Sequence, residues 1–391
     1  MRFNVRFNVR FNVRFNVRFR LSSPFALIVG GALLLSACGR SDGTADDSAG
    51  DTGFRGVLIS PAREKPDFTL TDADGKPFNF RQGTAGRVTL LFFGYTHCPD
   101  VCPLHVANVA SVLKKMPFEE RDAIRFVFVT TDPVRDTPAR LKQWLGNFDP
   151  GFIGLVGSQA EVNRVLYSLQ MPPIQTDPQP TDSVTYLVGH AAQVLAFGTD
   201  GFARVEYPFG IRQEDWAHDL PKLARGELPS ARPGAAQQNG TVSLAPVGGA
   251  ATFPENPLRV VAALVPRPAT TTEGALYLVL RNSGPEDTLV GVWSDAANKA
   301  EIHETMPTTA LGMAHMMPVS HVVLRTGETV QLVPGARHVM LLGFSTLPAV
   351  GGSVPVRLRF TRGGDVMLAA NVVDYADVER LLADAVASLG R

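Results

Sequence analysis

Two cysteines separated by three residues carry the most reactive chemistry of this chain: Cys98 and Cys102, in Thr96-His97-Cys98-Pro99-Asp100-Val101-Cys102-Pro103. At positions i and i+4 both sulfurs fall on one face at the start of a helix. There the unpaired N–H groups and the helix dipole favour thiolate. Two thiolates so placed can close as a disulfide or chelate a soft ion such as copper or zinc. A structural disulfide is the plain alternative, but so small a loop gains the least from closure. A copper site built on two thiolates often takes a third ligand, and imidazole suits it. His97 adjoins the pair. His190, in Val188-Gly189-His190-Ala191, stands where a late strand begins after an irregular Pro- and Gln-rich insertion, 168–182.

A second cluster holds no cysteine at all. His303, Met306, Met313, His315, Met316, Met317 and His321 crowd one stretch, and His338-Val339-Met340 follows. Methionine ordinarily fills gaps in cores. A His-x-Met pair on a strand differs, because a period of two points both side chains to the same face. Thioether and imidazole together select Cu(I) over Mg or Ca. Thioethers have no proton to lose and form no disulfides, which suits an oxidising compartment.

The elements that must position these residues divide into two patterns. Length alone, 391 residues, suggests two domains plus tails. Arg87–Gly94 and Ile124–Thr131 read as buried strands, with helices over 104–115 and 137–148, so residues 57–226 form an α/β layer domain. Residues 227–253, rich in Pro, Gly, Ala and Gln, read as a linker. In 254–375 eight short β runs, from Leu258–Val265 to Asp365–Val373, are punctuated by turns and predict an antiparallel sandwich. Residues 376–391 read as a terminal helix or tail.

Ahead of both domains, residues 1–37 read as an export signal. A tandem RFNV repeat with Arg as its only charged residue leads into an apolar run, 24–35, too short to span a membrane comfortably. The run ends in Leu35-Ser36-Ala37-Cys38, similar to a bacterial lipoprotein signal, which implies lipidation of Cys38 and a membrane-anchored, periplasm-facing protein. Residues 38–56 then form a flexible tether. Lys+Arg and Asp+Glu are both 37, so there is no basic excess of the kind a nucleic-acid binder shows. No phosphate-binding loop, Ser/His/Asp set or paired carboxylates suggest an enzyme of hydrolysis.

The stretch Phe93–Pro103, with Thr131-Asp132-Pro133-Val134-Arg135-Asp136-Thr137-Pro138 and Gly189-His190, resembles the Sco/SenC family over roughly residues 58–226. That resemblance implies a thioredoxin-like fold and copper held by Cys98, Cys102 and His190, as Cu(I) or Cu(II). Most relatives carry Asp where this chain has Gly189. Asp132 and Asp136 lie near the site in the motif, with turn or capping roles equally open. Leu332–Leu342 and Ala300-Glu301-Ile302-His303-Glu304 resemble the PCuAC copper chaperones over roughly 255–375, which implies a cupredoxin-like β-sandwich binding Cu(I). The 21 residues between Met316 and His338 match that family's spacing and give His303, Met316, His338 and Met340 as ligands. The interval from His303 is one residue longer than usual, which leaves Met313 and Met317 as alternatives.

Together these features predict an anchored copper chaperone that serves the CuA-bearing subunit of cytochrome c oxidase and exchanges copper with other chaperones. A thiol–disulfide oxidoreductase, with Cys98 attacking and Cys102 resolving, is the rival from another class. A copper store without a client is a third reading.

Overall fold

The computed structural model describes residues 53–176, 186–229, 257–307 and 313–390, all within one compact unit, residues 49–391. The export signal, Cys38, nearly all of the tether and most of the linker lie outside the described residues, as do the side chains of Met313 and His315.

The α/β domain contains strands β1 (Val57–Glu64), β2 (Thr69–Asp72), β3 (Pro77–Asn79), β4 (Val88–Gly94), β5 (Ile124–Thr130), β6 (Ile153–Val156), β7 (Gln175–Thr176), β8 (Val188–Ala191), β9 (Val194–Phe197) and β10 (Phe202–Tyr207). Its helices are α1 (Phe80–Gly83), α2 (Val101–Lys115), α3 (Phe118–Asp122), α4 (Pro138–Gly146), α5 (Gln159–Ser168) and α6 (Gln213–Ala224). Eight strands make one sheet in the order β1-β10-β9-β4-β5-β6-β2-β3. β4 runs parallel to β5 and antiparallel to β9. All seven of its residues, Val-Thr-Leu-Leu-Phe-Phe-Gly, are buried, as befits a strand covered on both faces. This is the thioredoxin-like α/β fold. β4 feeds the cysteine loop, which turns directly into α2. Local signals set the helix starts: Thr137 accepts from Arg140 N with Pro138 in the first turn of α4, and Ser158 with Glu161 closes a capping box on α5.

The second domain is all β: β11 (Leu258–Pro266), β12 (Glu273–Asn282), β13 (Asp287–Trp293), β14 (Ala297–Pro307), β15 (Met313–Pro318), β16 (Val322–Leu324), β17 (Thr329–Leu332), β18 (Arg337–Phe344), β19 (Ser353–Phe360) and β20 (Gly364–Val373). They curl into a sheet ordered β16-β13-β19-β20-β11-β12-β18-β14-β15, with β17 also on β12. Alternation buries one face, as along β19, where Val354, Val356, Leu358 and Phe360 point inward. The sequence reading of a purely antiparallel sandwich needs two corrections. β11 pairs with β20 in parallel, and β15 and β16 are additional strands.

The sheet does not stop at the domain boundary. β15 pairs with β8 of the first domain, with Met313 opposite Ala191 and Ala314 opposite His190. The C-terminal segment is a helix, α7 (Val378–Ala387), rather than a loose tail. Its Val378 and Leu382 pack against Leu264, Ala275, Tyr277 and Val279 of the second domain. Its Glu379 accepts hydrogen bonds from Asn108 Nδ2 at 3.2 Å and Gln213 N at 3.1 Å in the first.

Candidate metal centre

Strand β4, helix α2 and strand β8 bring Cys98, Cys102 and His190 together. Their two sulfurs and one imidazole nitrogen all lie within 4.8 Å of one another. Cys102 Sγ is 3.5 Å from His190 Nε2, and Cys98 Sγ accepts from Cys102 N at 3.5 Å. The thiols are unbridged and buried. His190 Nδ1 stands 2.9 Å from the Ala191 carbonyl oxygen. A carbonyl only accepts, so the proton belongs on Nδ1 and the Nε2 lone pair is left for the cluster. Burial works against ionisation of Cys98, but a hydrogen bond from the Cys102 thiol and the adjacent His190 hold it well below the usual thiol range. Burial and the neighbouring Cys98 push Cys102 well above it. Two sulfurs and an imidazole nitrogen make a soft donor set that suits copper.

The roles of several residues that hold this cluster escaped the sequence reading. Gly94, at the end of β4, leaves room for the Cys102 sulfur: a Cβ there would lie 2.7 Å from Sγ. Asp136 caps no helix. Its buried carboxylate accepts from Thr96 N at 2.9 Å, Thr96 Oγ1 at 2.6 Å and Thr130 Oγ1 at 2.6 Å, so it ties the cysteine loop to the end of β5. His97 turns away from the sulfurs, with Nδ1 3.4 Å from Asp136 Oδ1. Asp132 pairs with Arg135 and accepts from Tyr186 Oη at 2.6 Å. Arg135 stacks over the Tyr186 ring at 3.7 Å and donates to its carbonyl at 2.8 Å. That clamp fixes the chain four residues before His190. The Thr131–Pro138 motif is therefore scaffolding for the cluster.

The Met/His residues sort by strand register. On β14 and β18, His303 faces His338 and Glu301 faces Met340. On β14 and β15, Thr305 faces Met316. Directly paired residues share a face and alternate residues return to it, so His303, Met316, His338 and Met340 occupy one side of the sheet. Met317 pairs with Glu304 on the other side and is 55% exposed, which removes it from the alternatives. His303, His338 and Met340 are buried. His338 Nε2 and both ring nitrogens of His303 lack hydrogen-bond partners. Buried nitrogens are rarely left unpaired, and a soft cation would satisfy them. Burial, then the neighbouring His338, lowers the His303 pKa to about 4, so this imidazole stays neutral and able to ligate at neutral pH.

Comparison with known proteins agrees with this division. The family model described as SCO1/SenC matches residues 58–225. A protein of Stutzerimonas stutzeri named "Putative copper-binding protein" is 31% identical over 171 residues, 44% of this chain and 82% of its own length. The chain belongs to the SCO1/SenC family. Other curated relatives are matched over only 32% to 64% of their own length. Among solved structures, copper-bound ScoI of Bradyrhizobium japonicum is 35% identical, covering 41% of this chain and 99% of that one, with a TM-score of 0.36. Beyond the SCO1/SenC domain, the family model described as LpqE-like matches residues 258–372. The copper-bound PCuAC domain from PmoF2 is 23% identical there, covering 31% of this chain and 97% of that one, with a TM-score of 0.27.

Proposed function

We propose that this SCO1/SenC protein is a copper chaperone that delivers copper for assembly of the CuA centre of cytochrome c oxidase. One observation carries the reading: the donor atoms of Cys98, Cys102 and His190 all lie within 4.8 Å of one another. In this reading copper sits at those three residues, and Cu(I) at His303, Met316, His338 and Met340. Release proceeds by ligand exchange: an incoming thiolate or thioether replaces an outgoing one, so copper is never free and keeps its charge. Lipidation of Cys38 would keep the protein at the membrane, facing the periplasm and the CuA-bearing subunit.

The thiol–disulfide alternative fits less well. Both cysteines are buried and converge with an imidazole, a third donor that suits copper and that dithiol exchange does not use. To test the proposal, the copper-loaded chain is mixed anaerobically with the metal-free, reduced CuA-bearing fragment of the oxidase subunit. Copper recovered with the separated fragment, and the CuA optical spectrum on its one-electron oxidation by ferricyanide, both lost with His190→Ala, are the expected results. Reduction of the oxidised fragment by a copper-free chain, with no copper transfer from a loaded one, would establish the oxidoreductase instead.

A further inference from the structure

Asp100, between the two cysteines, is where the second domain meets the cysteine loop. It stands at the N-cap of α2, where an Asp ordinarily accepts from its own helix's N–H groups. Its side chain makes no such bond. The carboxylate is 0% exposed and is instead surrounded by the other domain. Tyr277 Oη donates to Oδ1 at 2.7 Å. Gly335 N donates to Oδ2 at 3.0 Å and Thr305 Oγ1 donates to the same oxygen at 3.3 Å. Facing Oδ2 at 3.6 Å is His338 Nδ1, which also lies 3.2 Å from the Ala336 carbonyl oxygen. Carboxylate and carbonyl both only accept, so Nδ1 carries the proton. That leaves a lone pair on Nε2, the buried nitrogen without a partner.

We infer that Asp100 is a positioning residue for the Met/His centre, serving His338 from the cysteine loop of the other domain. The inference rests on the reading of His303, Met316, His338 and Met340 as a Cu(I) site. Carboxylates behind a ligating imidazole fix its tautomer and orientation and raise its basicity, and their loss typically costs 10–100-fold in metal affinity. Here the carboxylate is not supplied by the domain that holds the ligand, which offers His338 Nδ1 only the Ala336 carbonyl. The Met/His centre reaches full affinity only while the two domains are docked. Because Asp100 lies two residues from each cysteine, the two centres share one short piece of backbone.

The test uses the full chain carrying Cys98→Ser and Cys102→Ser, which leaves only the Met/His centre. Cu(I) affinity is measured anaerobically by competition with a chromophoric Cu(I) chelator, before and after adding Asp100→Asn. Asn keeps one oxygen, enough for Tyr277 or for Gly335 but not for both, and loses the charge behind His338. An affinity loss of about 10-fold or more is expected, with fewer imidazoles around Cu(I) by X-ray absorption. Tyr277→Phe, which removes a docking bond and leaves the Asp100–His338 contact, should change affinity less than 3-fold. Asp100→Ser repeats the comparison should the Asn variant misfold. Unchanged affinity in both Asp100 variants, or equal losses with Tyr277→Phe, would overturn the inference while leaving the copper reading intact. Failure of the parent variant to bind any Cu(I) would overturn both.

Discussion

Replacing Gly94 with alanine adds one methyl group where the structure has no room for it. The new Cβ would lie 2.7 Å from Cys102 Sγ and 3.0 Å from two ring carbons of Phe128. Comfortable contacts between such atoms begin at about 3.5 Å, so the sulfur must retreat by nearly 1 Å. The backbone cannot give way instead. Gly94 pairs with Thr130, and its carbonyl accepts from Thr131 N at 2.7 Å and Thr131 Oγ1 at 3.1 Å. Overpacking of this kind costs about 1–3 kcal/mol, read as a lower urea midpoint. Because the displaced atom is a metal-facing donor 3.5 Å from His190 Nε2, Cu(I) affinity should fall as well. With His338→Ala and Met340→Ala in the background, so that one centre remains, Gly94→Ala is expected to weaken competition against a Cu(I) chelator at least 10-fold. A folded Gly94→Ala variant with parental affinity would refute the argument that Gly94 is there to seat the sulfur.

Other consequences follow from single side chains. Glu273 is buried on β12, and its pKa is raised to about 8, chiefly by burial, with Arg135 opposing and Cys98 adding to the rise. Between the ordinary carboxylate range and that value the folded state holds the proton more tightly than the unfolded one, so stability falls as pH rises. At about 1.4 kcal/mol per unit, urea unfolding should show a loss between pH 5 and 8, bounded at about 5 kcal/mol. Glu273→Gln should flatten that slope, and an unchanged slope would contradict the assignment. Asp219 is buried and accepts from Arg55 N, Gly56 N and Tyr207 Oη at 2.9–3.0 Å. Asp219→Ala should cost about 3 kcal/mol through stranded donors without lowering copper stoichiometry, whereas a cost near zero would argue against that anchoring role. Register predicts that Met316→Ala weakens Cu(I) binding at the second centre and Met317→Ala does not. The reverse order, measured with the same chelator, would mean β15 is out of register.

What was legible in the sequence was what local rules govern. The cysteine pair announced a helix start because i and i+4 spacing has one geometric meaning there. The His338-x-Met340 pair announced a common face because strands alternate. The buried run Val88–Gly94 could only be a central strand. Long-range pairing was not legible. β15 reads Met-Ala-His-Met-Met-Pro, with no β-branched or aromatic residue to mark a strand, and it forms only by lying between β14 and β8. Asp100 drew no role from the sequence, because nothing local shows that its carboxylate turns to Tyr277 and Gly335, more than 170 residues away. Asp136 was named near the site, but its role as a tie was hidden for the same reason, since Thr96 and Thr130 meet only when β4 and β5 align.

Copper stoichiometry of the purified chain tests the central claim most directly. The full chain carrying Cys38→Ser is reduced, held anaerobic and saturated with Cu(I), then compared with Cys98→Ser/Cys102→Ser and with His338→Ala/Met340→Ala. Two coppers in the parent and one in each double variant is the predicted result. A single copper, lost only with His338 and Met340, would contradict the account and leave Cys98 and Cys102 as a redox pair.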